Sequence, residues 1–484
     1  MRDMTEENQS LSLYDKFQSV GIWFLPESKE RKLSGTMEYD NNGISLTTIG
    51  SFAATDADVF SIIKKFEEGP EEKPIILGLT TDDRIITLVD CAQTGLHTAS
   101  NGIVTCKFRA MSMFVGKHFD TLEEIEFKSV SVDWSNLHLW VAQSSFKTDR
   151  SESIDKKIKL EYQQPPSIKA KIDEEFELEI VHGASTGFSI YSEERKITQT
   201  TSLMIKSQTP HKLKDFWDIQ TCFRHFLMLS MMKNVYPISI RAKTADQDNT
   251  SVSVFPSIRL HDYVPERSLS RDMLFHYPLL SQNFQSYVQT WRKFWIVCRD
   301  LLIDYFTTLL DEGSITLEIK FQRVVQVLEA YHRKKFPSDK KMSDEDYEKM
   351  IQNMKSKCVG AQNQINYIKQ FKSMGNWPNL AERLQKLVDM CPDAFNDAAK
   401  EKHDFTVNVS KTRHYNAHGL EFSDGVITDT QQLVYLTHQM MALAEACFLS
   451  ELPFSSDNLK EFIIKIRHVR NFARDHDTAR TSSI

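Results

Sequence analysis

The 484-residue sequence predicts an α+β protein with a β-rich domain over residues 1–270 and an all-helical bundle over residues 271–484. Two observations support this fold class. The first half contains short runs in which apolar and polar residues alternate, as expected of antiparallel strands. The second half contains longer segments in which apolar residues recur every three or four positions, as expected of amphipathic helices. The polar residues 265–271 mark the predicted boundary.

The predicted strands are separated by turn-forming residues such as Asn41-Asn42-Gly43. They lie at residues 43–49, 75–79, 85–89, 103–108, 177–181, 188–191, 197–206, 236–241 and 252–258. Two helices are predicted among them, at residues 57–67 and 213–233. The pattern predicts a twisted antiparallel sheet or a sandwich with few helices.

The helical half begins with an aromatic stripe that includes Tyr287, Trp291 and Trp295, which indicates a helix packed against a core. The predicted helices cover residues 284–310, 315–331, 347–357, 365–374, 380–390, 404–418, 430–449 and 458–474. Pro392 and Gly419 are predicted to stop two of them. The short connections favour an antiparallel bundle.

Charge limits the function classes. The net charge of −7 argues against a surface that binds polyanions everywhere, so contact with nucleic acid requires a local basic patch. Residues 315–374 carry twelve basic and seven acidic side chains, a net charge of +5. This stretch is either such a patch or an ordinary solvated helix surface, and the sequence leaves both interpretations open.

The seven cysteines are widely spaced and form no Cys-x-x-Cys pair, which argues against a disulfide framework and a zinc ribbon. The first residues are polar and acidic, and no run of about eighteen apolar residues occurs. We therefore expect a cytoplasmic protein without membrane contact. No glycine-rich phosphate loop is present, so nucleotide hydrolysis has no support.

The strongest candidate for chemistry is the segment VSKTRHYNAHG, in which Arg413 and His418 lie five residues apart near the end of a predicted helix. Cleavage of RNA without a metal needs a base, an acid and a cation at the phosphate. Histidine exchanges protons near neutral pH, and arginine binds phosphate through paired N–H groups. No cofactor is expected.

The spacing raises a difficulty, because five helical steps separate the two positions by roughly 140° around the axis. A frayed helix end at His418, or a symmetric dimer, would bring the groups together. His414 and His418 share a helix face, as do Arg413 and Asn416. The histidine pair is compatible with half of a metal site, but no third ligand is evident and no metal is expected.

Two other patterns compete with this segment. Residues 470–476 also place a histidine, His476, after an arginine and an asparagine, but close to the C-terminus with no further helix. Three His-Asp pairs suggest a metal phosphohydrolase, although the other ligands of such a site are not evident. These pairs are His261-Asp262, His403-Asp404 and His476-Asp477.

The helical half resembles the Apea-like branch of the HEPN superfamily. Residues 320–336, KFQRVVQVLEAYHRKKF, are similar to that family's apolar helix ending in Leu-Glu-x-x-His, here Leu328, Glu329 and His332. The segment Arg413 to His418 is similar to the family's arginine, polar residue and histidine, with His414 where asparagine is commoner.

The N-terminal half resembles the ApeA N-terminal domain. The similarity lies in the order of four segments, GIWFLP at residues 21–26, SGTMEYDNNGISLTTIGSF at 34–52, ILGLTTDDRIITLVD at 76–90 and VGKHFDTLEEIEFKSVSVDWSNLHLWV at 115–141. Each motif is loose by itself, and their joint order is more specific.

The resemblance implies an anti-phage, abortive-infection protein whose helical domain is a metal-independent ribonuclease, often dimeric. It implies catalytic roles for Arg413 and His418, with His414 and Asn416 in support and Glu329 as a weaker orienting candidate. The expected partners are RNA as substrate, a phage protein or nucleic acid as trigger, and a second copy of the chain. The alternative is a non-catalytic scaffold that uses the bundle for dimerisation and phage sensing.

Overall fold

A computed structural model of the chain describes residues 11–52, 72–150, 158–187, 196–257, 272–310, 315–358, 362–392, 399–418 and 424–481. The chain divides into two compact units. The first comprises Met1–Leu227 with Asn234–Val288, and the second comprises Met228–Lys233 with Gln289–Ile484. The main division falls between residues 288 and 289, whereas residues 270 and 271, the predicted boundary, lie outside the described part.

The first unit consists mainly of strands. They are β1 (Phe17–Leu25), β2 (Ser28–Asp40), β3 (Gly43–Ile49), β4 (Glu72–Thr80), β5 (Ile85–Thr98), β6 (Val104–Val115), β7 (Phe127–Trp134), β8 (Phe146–Arg150), β9 (Ile158–Tyr162), β10 (Ile168–Lys171), β11 (Phe176–Gly187), β12 (Lys196–His211), β13 (Pro237–Thr244) and β14 (Ser251–Pro256). The short helix α1 (Leu137–Val141) follows β7, the longer helix α2 (Leu213–Met231) follows β12, and α3 (Tyr277–Leu280) follows β14.

The predicted β-rich half is confirmed, but six strands were not predicted, namely β1, β2, β7, β8, β9 and β10. β1 ends in three consecutive buried residues, 23–25, so strict alternation breaks down there. β2 begins with a run of charged residues that hides its later alternation. The predicted strand at 188–191 and the predicted helix at 57–67 lie outside the described residues.

Twelve strands form one antiparallel sheet in the order β10-β11-β12-β7-β13-β14-β6-β3-β2-β1-β4-β5, and β5 also pairs with β6. The last pairing closes β6, β3, β2, β1, β4 and β5 into a ring. β6 accommodates a third neighbour because its first part pairs with β3, as in Ile44↔Ala110, and its last part with β14, as in Phe255↔Met113. These twelve strands therefore form one continuous sheet rather than a sandwich, and β8 and β9 pair separately as a two-stranded sheet.

The ring depends on one large side chain. Trp23 on β1 is fully buried. A Cβ atom at Gly78 on β4 would lie 2.3 Å from the indole, and one at Gly35 on β2 would lie 2.9 Å from it. Because these contacts are shorter than real Cβ atoms make, glycine is required on both neighbouring strands.

The helix α2 is joined to the sheet by a buried amide. Gln220 is fully buried and donates to the carbonyl oxygens of Val130 and Leu203 at 3.1 Å and 3.0 Å. Its own oxygen accepts from the indole N–H of Trp134 at 3.1 Å. With these partners the amide avoids the cost of burying an unpaired polar group.

The second unit is helical, as predicted. Its helices are α4 (Phe284–Leu310), which begins in the first unit, α5 (Leu317–Lys335), α6 (Asp344–Lys357), α7 (Gln362–Met374), α8 (Leu380–Met390), α9 (Ala399–His418), α10 (Thr430–Ser450) and α11 (Ser456–Thr481). Four of them begin at side chains that cap free backbone N–H groups, as is usual at helix starts. These caps are Thr316, Ser343, Asn379 and Asp429.

The core of the second unit forms around α10, which packs against α5, α8 and α11. Thirteen of its residues are buried, so it is apolar on nearly every side. Phe448 lies at the centre, with the rings of Tyr305, Tyr331 and Phe294 5.1–6.0 Å from its own. α9 lies against α8 and α5.

Candidate active site

The candidate segment lies on α9, whose buried side is set by three residues one turn apart. Phe405, Val409 and Thr412 are all buried. The hydroxyl of Thr412 accepts the backbone N–H of Ile427 at 2.9 Å, and the amino group of Lys411 donates to the carbonyl of Asp424 at 2.6 Å. These contacts tie the chain after α9 back against the helix and fix the position of the candidate residues.

Arg413 follows Val409 by one turn and is therefore on the inner flank of the helix. Its side chain is half-buried. Among the residues that the structure describes, no carboxylate lies within ion-pair distance of this guanidinium. Half-buried charges are normally paired, and within the described part of the chain this cation has no such partner.

Asn416 lies on the same flank of α9 as Arg413. Its Nδ2 is buried and finds no hydrogen-bond acceptor within the described part of the chain. Such an unpaired donor costs about 1–3 kcal/mol. An acceptor on a bound molecule or on a second copy would remove that cost. His414 is exposed and lies on the outer side of the helix.

His418 is the last residue of α9. The helix extends to this position, and residues 419–423 lie outside the described part, so a frayed end at His418 stays a prediction. Positions 413 and 418 thus remain roughly 140° apart around the axis. The side chain of His418 lies outside the described part of the structure.

Glu329 lies on α5 between two guanidinium groups. Its carboxylate is 2.8 Å from Arg333 and 3.3 Å from Arg383 of α8. One turn on, His332 is buried with its Nε2 3.1 Å from the carboxylate of Asp339. Burial lowers the pKa of His332, although Asp339 opposes the shift. These contacts join α5 to α8, and the structure does not bring Glu329 and Arg413 into contact.

The competing arginine, Arg470, is half-buried like Arg413, but its guanidinium is paired. It forms an ion pair with Glu445, which is 3% exposed and also accepts the hydroxyl proton of Tyr305 at 2.8 Å. Burial would lower the pKa of Arg470, but the carboxylate of Glu445 outweighs it and the pKa is raised. This arginine is therefore a structural cation. The side chain of His476 lies outside the described residues.

A cleft of about 300 Å³ lies between α4, α5 and the end of α10, which the sequence analysis missed. Lys293, Lys334 and Lys335 surround it. Lys335 is paired with Glu451 at 2.9 Å, and Lys334 donates to the carbonyl of Val297 at 2.6 Å. In the sequence, the two consecutive lysines at the end of α5, Lys334 and Lys335, were the feature that could have indicated this cleft.

The floor of this cleft includes Cys298, where α4 departs from helical geometry. Burial raises the pKa of its thiol to about 11, so the sulfur is protonated at neutral pH and is a poor nucleophile. Within the described ranges, Arg413, His414, Asn416 and Glu329 are not among the residues that surround the cleft.

The described residues contain no group of three histidine, cysteine, aspartate or glutamate side chains placed to hold a metal. A search of the same residues finds no helix with the length and apolarity needed to cross a membrane.

Comparison with known families gives two matches. The model of ApeA N-terminal domain 1 matches residues 18–291, and the model of the Apea-like HEPN family matches residues 323–458. The second range includes Glu329, Arg413, His414, Asn416 and His418 but not Arg470. Neither the curated proteins nor the solved structures provide a match.

Proposed function

Because the chain belongs to the ApeA family and carries an Apea-like HEPN region of the anti-phage type, we propose that its helical unit is an endoribonuclease. It cleaves RNA on infection without a metal ion. The observation that carries the proposal is the guanidinium of Arg413 on the inner flank of α9, which has no carboxylate partner among the described residues. In the same unit Arg470 is neutralised by Glu445.

The proposed reaction is attack of an RNA 2′-oxygen on the adjacent phosphorus. The 2′-hydroxyl proton passes to the neutral imidazole of one His418, the P–O5′ bond breaks, and a protonated imidazole supplies the proton to the leaving 5′-oxygen. Arg413 holds the non-bridging oxygens and stabilises the charge that develops on them. The products are a 2′,3′-cyclic phosphate and a 5′-hydroxyl, so no oxidant or water enters this step.

A second copy of the chain supports this chemistry in two ways. Two imidazoles are needed, one as base and one as acid, and each chain supplies one His418. Arg413 and His418 occupy helix positions too far apart around the axis to share a face. Two α9 helices related by a two-fold axis would place the arginine of one chain opposite the histidine of its partner. Asn416 would gain an acceptor at the same interface.

The test is incubation of the purified chain with total RNA in the presence of EDTA, followed by sequencing of the RNA ends. We expect cleavage with cyclic phosphate ends by the wild-type protein and none by Arg413→Ala or His418→Ala. A matched control is Arg323→Ala, because this exposed arginine is paired with Asp304 at 3.6 Å. The control is expected to cleave like the wild type.

Full cleavage by both Arg413→Ala and His418→Ala contradicts the proposal. Intact RNA during infection with wild-type protein also contradicts it and favours the non-catalytic scaffold. Cleavage that EDTA abolishes indicates a metal-dependent hydrolase instead.

A further inference from the structure

The helices α6 and α7 form a hairpin with a small core of its own. Tyr347, Ile351 and Ile368 are buried against one another. The base of the hairpin is closed by Asn376, whose side chain accepts the N–H of Met342 and donates to its carbonyl, both at 3.1 Å. The hairpin is thus a defined arm of the second unit.

The charge of this arm is unevenly distributed along it. Residues 349–381 contain five lysines and no acidic residue, in a chain with a net charge of −7. The net charge of +5 over residues 315–374 is therefore unevenly distributed. All of its acidic residues precede position 349, and four of them, Asp344, Glu345, Asp346 and Glu348, lie at the start of α6. The whole hairpin therefore has a net charge of only +1, and the excess positive charge lies beyond residue 348.

The ion pairs increase the difference in charge between the base of the arm and the rest of it. At the base, Lys340 is paired with Asp344 at 2.6 Å, Lys341 with Glu382 at 2.8 Å and Lys349 with Glu345 at 2.8 Å. Further along the arm, Lys355, Lys357 and Lys369 have no acidic partner in the described ranges. The base is neutralised internally, and the rest of the hairpin keeps its positive charge.

An exposed aromatic ring lies on the same arm. Tyr367 is 71% exposed, far more than an aromatic side chain kept for packing. Around it α7 carries uncharged amides, Asn363, Gln364 and Asn366. Lysines contact phosphates, an exposed ring stacks on an unpaired base, and amides bond to base edges.

We propose that the α6–α7 hairpin is an RNA-docking surface that holds single-stranded RNA. Lys355, Lys357 and Lys369 contact its phosphates, and Tyr367 stacks on one base. Single-stranded RNA is favoured over a folded duplex because an exposed ring needs an unstacked base. The inference rests on the proposed function, since it assigns RNA as the ligand of the helical unit, but the binding surface is separate from Arg413 and His418.

The experiment measures RNA binding in the full chain carrying His418→Ala, so that the oligonucleotide stays intact. The probe is a fluorescein-labelled oligouridine, and anisotropy is recorded over a series of salt concentrations. Lys355→Gln/Lys357→Gln/Lys369→Gln is expected to weaken binding at least tenfold. It should reduce the slope of log affinity against log salt by about 2, because each phosphate contact to a single strand contributes roughly 0.7.

Two further variants make the result specific. Tyr367→Ala is expected to weaken binding by about 5-fold to 150-fold, the range for one lost stacked base, with an unchanged salt slope. The matched control, Lys340→Gln/Lys341→Gln/Lys349→Gln, removes the same charge from paired lysines of the base. It should retain nearly the wild-type affinity, and thermal melting confirms that each variant is folded.

Wild-type affinity and slope in the first triple variant overturn the inference, as does an equal loss in the control. Binding of labelled polyglutamate together with no binding of the oligouridine points to an acidic protein instead and also overturns it. The two proposals fail separately. RNA cleavage that survives the hairpin variants refutes only the docking surface, and RNA binding with no dependence of cleavage on Arg413 or His418 refutes only the active site.

Discussion

Arg413 and Arg470 start similar motifs in the same helical unit but have opposite environments. Arg470 is neutralised by Glu445, and Tyr305 shares the same carboxylate. Arg413 is half-buried, with no carboxylate beside it in the described residues. This difference shows that the spacing of an arginine and a histidine in the sequence does not by itself identify an active site. The charge that faces the arginine decides whether it is free to bind substrate.

Substitution of Arg413 gives the largest expected effect on activity. Arg413→Met should lower the rate of RNA cleavage by about 10²–10³-fold, as is typical for loss of one group that stabilises transition-state charge. Its unfolding free energy should stay within about 0.5 kcal/mol of the wild type, because no internal ion pair is broken. Single-turnover cleavage and urea denaturation measure the two quantities. A large loss of stability would mean that Arg413, like Arg470, has a structural role.

Substitution of Arg470 should have the opposite effect, a large loss of stability with little effect on cleavage by the folded protein. Arg470→Met leaves the carboxylate of Glu445 buried without its cation, which should lower the unfolding free energy by about 3 kcal/mol. The double variant Arg470→Met/Glu445→Gln should recover part of that loss, because no uncompensated charge remains. Urea denaturation tests both. Unchanged stability with abolished cleavage would instead make Arg470 the functional arginine.

The ion pair of Glu329 offers an intermediate case. Glu329→Gln keeps the shape of the side chain but removes the charge that faces Arg333 and Arg383. We expect a loss of about 1 kcal/mol in unfolding free energy, given partial exposure of the pair. Cleavage normalised to folded protein should change little if Glu329 acts between α5 and α8, and should fall tenfold or more if it orients the catalytic groups.

The pH dependence of stability extends the comparison to the histidines. The pKa of buried His332 is lowered from 6.5, so the unfolded chain binds a proton more readily than the folded one. Stability is therefore full above pH 6.5 and falls as the pH drops below it. His332→Gln should make this slope shallower. Melting temperatures across the acid range provide the measurement.

Asn416 gives the smallest expected effect on the isolated chain. Asn416→Leu removes a buried donor that has no partner, so the stability of the monomer should be unchanged or rise by up to about 1 kcal/mol. Dimerisation, measured by sedimentation, should weaken if the amide finds its acceptor on a second copy. A destabilised monomer would mean that the amide has an internal role.

Much of the architecture follows from the sequence. The helices of the second unit are predicted because their apolar stripes are long and their caps are local, as at Asn379 and Asp429. The closure of the ring is not predictable from alternation, because it depends on pairing between β5 and β6 along a bent strand. The need for Gly35 and Gly78 is likewise visible only once Trp23 lies between them.

The site was harder to predict than the fold. The spacing of residues 413–418 and 470–476 is nearly equivalent in the sequence. Glu445, which distinguishes them, lies 25 residues from Arg470 on another helix. The hairpin lysines could be counted from the sequence, but which of them are paired depends on tertiary contacts such as Lys341 with Glu382.

The three neighbours of β6 also bear on synthesis of the chain. Every strand of the closed ring lies before residue 116, whereas β14, which covers the last part of β6, ends at Pro256. On the ribosome the ring can therefore form well before its third neighbour emerges, since chains fold progressively from the N-terminus. Throughout that interval the end of β6 near Met113 has one unsatisfied edge. A nascent chain stalled before β14 presents this edge to chaperones or to other growing chains.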